Sequence, residues 1–242
     1  MNEALLANRK TEKNSKDADG KLPEREVVLL VHGLWMTGIE MHWLGARLGE
    51  CGYDVRYFHY PSLTKSPSEC AGELAEFIGC LVCGKLNIVA HSMGGIVVLN
   101  LFDQFDGLPD GRVLLLGSPV LGSGIARVAA SHIGLRMFLG TASSDGLTKA
   151  APAWRGGRAL GVIAGTSALG VGRILGGLQG PSDGTVSVCE TRLPGATDFV
   201  TLDVNHMGML YSRAVAREIC FFLHYGRFDR GEGAVPEDIA EC

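Results

Sequence analysis

The sequence predicts an α/β domain: a mostly parallel sheet of about six strands with helices on both faces. Three observations carry this reading. Short runs of Val, Ile and Leu recur without polar alternation, as strands buried on both faces require. Longer segments with helical spacing separate them, and alternation of strand and helix is the order of a parallel sheet with crossover helices. The balance of 46% hydrophobic and 20% charged residues over 242 positions is globular, and a chain of this length buries an adequate core without metal or disulfide.

The elements follow in order. Residues 1–26 carry many charges and few large apolar side chains and read as a mobile arm. Val27–Val31 is an apolar strand ending at His32-Gly33. Met41–Glu50 fits a short helix and Asp54–Tyr60 a strand. Ser66–Val82 fits a helix with Pro67 in its first turn, where the missing N–H is harmless. Leu86–Ala90 is a strand, Gly94–Phe105 an Ile-, Val- and Leu-rich helix, and Val113–Leu116 a strand closed by Gly117-Ser118-Pro119. Ala159–Ala164 and Phe199–Val204 are the last two strands, and a helix runs from about Met207 to Tyr225. Residues 226–242 read as a flexible tail, which leaves 27–225 as the domain. The glycine-rich apolar stretch Gly156–Gly180 is interrupted by Arg173 too soon to cross a bilayer, and reads as a buried strand followed by a loop.

Charge and composition exclude several classes. A net charge of −4 argues against nucleic acid as a partner. The 34 glycines are about twice ordinary usage and show no collagen period, so they mark tight turns and close backbone approaches. Seven cysteines, an odd number, with no signal-like apolar stretch near the N-terminus, imply a reduced, cytoplasmic protein with free thiols. Cys80 and Cys83 form a lone C-x-x-C. A redox pair or half a zinc site is one reading. Two thiols packed near a helix end is the plainer one, favoured because no second pair completes a site. Neither H-E-x-x-H, nor a P-loop, nor G-x-G-x-x-G occurs, so no metal or organic cofactor is expected.

Chemistry concentrates in Leu86-Asn-Ile-Val-Ala-His-Ser-Met-Gly-Gly95, where a strand runs straight into Ser92 and a helix starts at once. So sharp a turn strains the serine backbone and crowds the residues two before and two after it, and Ala90 and Gly94 are small enough to fit. The hydroxyl is then thrust out at the sheet edge, a nucleophile elbow. The usual G-x-S-x-G has Ala90 in place of its first glycine. The alternative is a serine N-cap before an apolar helix. A second piece, Val28-Leu-Leu-Val-His-Gly-Leu-Trp35, is an apolar strand ending in His-Gly at the same carboxyl edge.

Together these segments resemble the α/β-hydrolases over roughly residues 27–225, closest to their small bacterial lipase and esterase branch. Leu116-Gly-Ser-Pro-Val-Leu-Gly-Ser123 is similar to the Ser/Thr-Pro-x-x-Gly-Ser segment of many lipases. The resemblance implies an oxyanion hole from the backbone N–H groups of Leu34 and Met93, and a structural His32. It also implies the chain order serine, acid, histidine. Of the histidines, only His206 and His224 come late enough. His206 directly follows the last strand, whereas His224 sits at a helix end suited to capping. Asp183, in a Pro-Ser-Asp-Gly-Thr-Val turn after the fifth strand, is the expected acid. Asp145 is its competitor, and Asp198 and Asp203 suit a strand-edge salt link or a turn.

The function implied is cleavage of carboxylic esters by a Ser92–His206–Asp183 triad. The substrate would be a small-molecule acyl ester, lipids included. Trp35, Met36, Tyr60 and Leu121, with the stretch Leu169–Leu178, are the expected acyl pocket, and the span from Ser118 to Asp183 leaves room for a modest cap at most. The same triad would serve a thioesterase, amidase or acyltransferase. A hydrolase-like fold used only for binding is the remaining alternative.

Overall fold

The computed structural model describes residues 26–132, 146–155, 157–169 and 178–230. Six strands form one wholly parallel sheet: β1 Glu26–Val31, β2 Asp54–Phe58, β3 Lys85–His91, β4 Val113–Leu116, β5 Leu160–Gly165 and β6 Asp198–Leu202, in the order β2-β1-β3-β4-β5-β6. Among the described residues five α-helices accompany it: α1 His42–Glu50, α2 Pro67–Gly79, α3 Met93–Gln104, α4 Gly124–Ser131 and α5 Arg213–Tyr225.

The two-residue period of a strand divides the core. Val27, Leu29 and Val31 of β1 point to one face, where they join Leu74 and Ile78 of α2, Ile96 and Val97 of α3 and Ala126 of α4. Val28 and Leu30 point to the other, where Leu44 and Leu48 of α1 meet Val215, Ile219 and Phe222 of α5. Both faces are therefore covered, which is why the strands read as unbroken apolar runs. The chain moves from β1 outward to β2, then returns past β1 to β3 and onward. The order thus reverses between β1 and β3, and the crevice at their carboxyl ends is where such a sheet can hold a ligand.

Local sequence explains most boundaries. Ser66 caps α2 by accepting the Glu69 N–H at 3.2 Å, while the Glu69 carboxylate accepts the Ser66 N–H at 2.8 Å. That helix stops at Gly79 rather than Val82, whose side chain is 99% exposed. The helix expected from Met207 to Tyr225 is broken. A 3₁₀ turn covers Gly208–Tyr211, and Ser212 then caps α5 by accepting the Val215 N–H. Helix α4 was not foreseen because glycines at 122 and 124 flank its start. Ser123 caps it on the Ala126 N–H at 3.1 Å.

Two expectations are corrected. Cys51, at the end of α1, and Cys220, in α5, form a disulfide that joins the two helices of one face. Cys189 is disulfide-bonded as well, so the thiols are not all free. Cys70, Cys80 and Cys83 keep theirs. Phe228 and Arg230, expected within a flexible tail from 226, are held against the domain. Phe228 is buried, its N–H donates to Asp198 at 2.7 Å, and Arg230 pairs with the Asp198 carboxylate at 2.6 Å. The arm at 1–25, the residues beyond 230, Asp145 and most of Leu169–Leu178 lie outside the described residues. Among the described residues no helix is long and apolar enough to cross a membrane.

Candidate active site

Ser92 stands between β3 and α3 with φ 55° and ψ −126°, a conformation that is strained for any residue with a side chain. Its surroundings hold it there. The Ser92 N–H donates to the Leu116 carbonyl at 2.9 Å, and the Gly95 N–H donates to the Ser92 carbonyl at 3.0 Å. A Cβ at Gly94 would lie 2.5 Å from the His32 carbonyl oxygen, and one at Gly95 2.2 Å from the Ser118 hydroxyl. Only glycine allows the start of α3 to approach β1 and β4 so closely. The methyl of Ala90, by contrast, is absorbed into the core of the α2–α3 face.

The late segments reach this serine. The Ser92 hydroxyl lies 3.0 Å from His206 Nε2, and His206 Nδ1 lies 2.7 Å from Asp183 Oδ2. With Nδ1–H donated to the carboxylate, Nε2 is left to accept the serine proton. Asp183 is 1% exposed, and its other oxygen accepts the N–H groups of Thr185 at 2.9 Å and Val186 at 2.7 Å. The His206 N–H donates to the Asp183 carbonyl at 2.9 Å, which fixes one loop on the other. Of the remaining acids, Asp198 is held in its strand-edge ion pair with Arg230, and Asp203 is exposed.

The β1–α1 connection lies on the other side of the serine. A Cβ at Gly33 would sit 3.0 Å from Ser92 Cβ, so Leu34 follows directly on the contact. Met93 is the first residue of α3, where an N–H has no acceptor within its own helix. Trp35 takes φ 60°, and its N–H donates to Ser62 at 3.2 Å. A cleft of about 590 Å³ opens between this loop and the β2–α2 connection, lined by Trp35, Met36, Tyr60, Ser62 and Leu63 among others. Leu121, expected in the same pocket, does not line it. Leu121 follows β4, two strands from β1, and its side chain is exposed there.

Two histidines beside the site have structural partners. His32 stacks on Tyr60, donates from Nδ1 to the Gly33 carbonyl at 2.8 Å, and accepts the Tyr60 N–H at Nε2. His91 was not singled out from the sequence beyond its place in the Ser92 motif. Its Nε2–H donates to the His206 carbonyl at 3.1 Å, and its ring lies 4.6 Å from the His206 ring. Burial is the main cause lowering both imidazoles from 6.5, His91 well below it, so both stay neutral. An unfolded chain takes up protons on them below about pH 6.5, whereas the folded chain does not. Stability therefore falls as pH drops from 6.5 toward the folded-state values, by at most ~1.4 kcal/mol per pH unit for each imidazole. Urea midpoints measured from about pH 7 to about pH 5 should decline, and less steeply in His91→Asn. A midpoint indifferent to pH over that range contradicts the assignment.

No family model matches the chain, and no curated protein matches it in sequence. Solved structures do share its architecture. A metagenomic carboxyl esterase is 16% identical with a TM-score of 0.63, over 77% of this chain and 66% of the esterase's own length. A thermophilic esterase from Thermogutta terrifontis is 15% identical with a TM-score of 0.56, over 84% of this chain and 91% of that one. A type II thioesterase of the borrelidin biosynthetic cluster is 17% identical with a TM-score of 0.57, over 84% and 92%. All share a single fold with the present chain.

Proposed function

From the α/β-hydrolase fold of this chain, we propose that it is a serine hydrolase cleaving carboxylic esters through an acyl-enzyme. The observation that carries the reading is the unbroken hydrogen-bonded series from the Ser92 hydroxyl through His206 to Asp183, at 3.0 and 2.7 Å, mounted on a strained elbow. His206 accepts the Ser92 proton as the hydroxyl oxygen attacks the acyl carbon. Asp183 keeps the imidazole in the required tautomer and stabilises the cation. The N–H groups of Leu34 and Met93 hold the oxyanion, where one donor contributes about 3 kcal/mol to the transition state. His206 then protonates the leaving alcohol, and water repeats the sequence to release the acid.

The cleft between the β1–α1 and β2–α2 connections is the assigned substrate pocket, with Trp35, Met36 and Tyr60 in its wall. Apolar acyl groups of small or medium length suit it. A chain-length series of p-nitrophenyl esters, run beside matching acyl-thioesters, tests this. Preference for apolar oxygen esters is expected, and preference for charged or bulky polar acyl groups would count against it. A thioester preference would reassign the leaving group and keep the triad. The esterases and the thioesterase of the same fold keep both arms open. The Cys51–Cys220 bond favours a compartment where disulfides persist over the reducing cytoplasm expected from the sequence.

Gly117 gives a sharper test of the geometry. It takes φ 54°, and a Cβ there would lie 2.9 Å from Asp183 Oδ2 and 3.2 Å from His206 Nδ1. Gly117→Ala wedges a methyl beside the acid–base pair. It should lower kcat on the order of 10²-fold with little change in KM, since a displacement of about 1 Å in a reacting group costs that much. An unchanged kcat contradicts the assigned pair.

A further inference from the structure

We propose that Ser62 is a positioning residue: its hydroxyl latches the β1–α1 loop so that the Leu34 N–H keeps its aim on the oxyanion. This role rests on the reading of Leu34 as an oxyanion donor, and adds what holds that donor in place. Two peptide planes meet at Leu34 and decide where its N–H points. The first joins Gly33 to Leu34. Its carbonyl accepts the His32 Nδ1–H at 2.8 Å, and because a trans peptide is flat, the Leu34 N–H faces the opposite way. The second joins Leu34 to Trp35, and its N–H donates to the Ser62 hydroxyl oxygen at 3.2 Å.

Both fastenings lead to the β2–α2 connection. Tyr60 sets the His32 ring by stacking on it at 4.3 Å and by donating its N–H to Nε2 at 3.3 Å, and its hydroxyl donates to the His32 carbonyl at 2.7 Å. Ser62 is buried on the same turn, where its own N–H donates to the Tyr60 carbonyl at 2.9 Å. The neighbours of Leu34 thus have their N–H groups engaged, Gly33 on Met36 Sδ at 3.3 Å and Trp35 on Ser62. The Leu34 N–H, between them, donates to nothing among the described residues. The latch is needed because Trp35 holds φ 60°; among the described residues the other non-glycine with positive φ is Ser92 itself. A side chain disfavours that conformation, so Trp35 released from its hydrogen bond returns toward negative φ and carries the Leu34–Trp35 plane with it.

The test compares Ser62→Ala on two backgrounds. In the native chain it should lower kcat for an activated ester about 10-fold with KM little changed, the population lost when a residue with a side chain is released from positive φ. In Trp35→Gly, where positive φ is no longer disfavoured, the same substitution should cost no more than about 2-fold. Trp35→Gly itself opens the cleft wall, so the ratio is read within each background. Without any catalysis, Ser62→Ala should also speed hydrogen exchange at the Trp35 amide, followed by NMR, by about 10-fold. Unaltered thermal midpoints establish that the variants fold. A raised KM with kcat unchanged, or equal losses on both backgrounds, would make Ser62 a substrate contact and overturn the proposal. Unchanged exchange at Trp35 would overturn it as well. Faster exchange in a protein whose native form hydrolyses no ester would instead refute the catalytic reading and leave the latch on the loop standing.

Discussion

Ser92→Ala and His206→Ala are each expected to lower kcat for an activated ester by about 10⁴-fold or more, with the thermal midpoint preserved. The expectation follows from the way the site is divided among distant parts of the chain. Ser92 comes from the turn after β3, Asp183 from the segment after β5 and His206 from the turn after β6, so none of the three substitutes for another. Alanine at 92 removes the oxygen to which the proposed reaction assigns the acyl bond. Alanine at 206 leaves the hydroxyl with no base within 3.0 Å. Asp183→Asn should reduce kcat by a comparable ~10⁴-fold, because an amide facing Nδ1 favours the wrong imidazole tautomer. The double variant Ser92→Ala/His206→Ala should be no slower than either single one, since the groups act as a unit. Additive losses would contradict a shared proton path.

Loss of the Cys51–Cys220 bond is expected to have the largest effect on stability. The two cysteines are 169 residues apart, so the bridge constrains a long loop in the unfolded chain. Chain entropy gives an upper figure of ~5 kcal/mol, and removal of native bridges from small domains usually costs about 2–5 kcal/mol. The double variant Cys51→Ala/Cys220→Ala should therefore melt roughly 10 °C lower. Reductant should lower the native chain toward the same midpoint. The hydrolytic rate below the transition should be little changed, because α1 and α5 meet on the face of the sheet and not at its carboxyl edge. Equal midpoints with and without the bridge would contradict this account.

The fold was legible because its physics is local. Val28–Val31, Ile88–Ala90 and Val113–Leu116 are buried on both faces, and nothing but a covered parallel sheet accommodates such runs in alternation with helices. Of the proposed triad, Ser92 follows the end of β3 at once and His206 the end of β6 by four residues, whereas Asp183 stands 18 residues beyond β5 and was marked by its Pro-Ser-Asp-Gly turn. What the sequence concealed depends on contacts between distant parts of the chain. The meeting of Cys51 with Cys220 requires knowing that α1 and α5 share a face. The position of Leu121 outside the cleft follows from strand order, which no local pattern encodes. His91 drew no separate notice because its partner is a backbone carbonyl 115 residues away, although its place beside Ser92 was a usable signal. The missed α4 and the break at Ser212 are matters of capping, where one serine decides the boundary.

Reaction with a fluorophosphonate probe, read by mass spectrometry of the digested protein, tests the central claim most directly. One adduct is expected on the peptide bearing Ser92, absent in Ser92→Ala and strongly slowed in His206→Ala. A folded protein that stays unlabelled, or that carries the adduct on another serine, would contradict the assignment of Ser92 as the nucleophile.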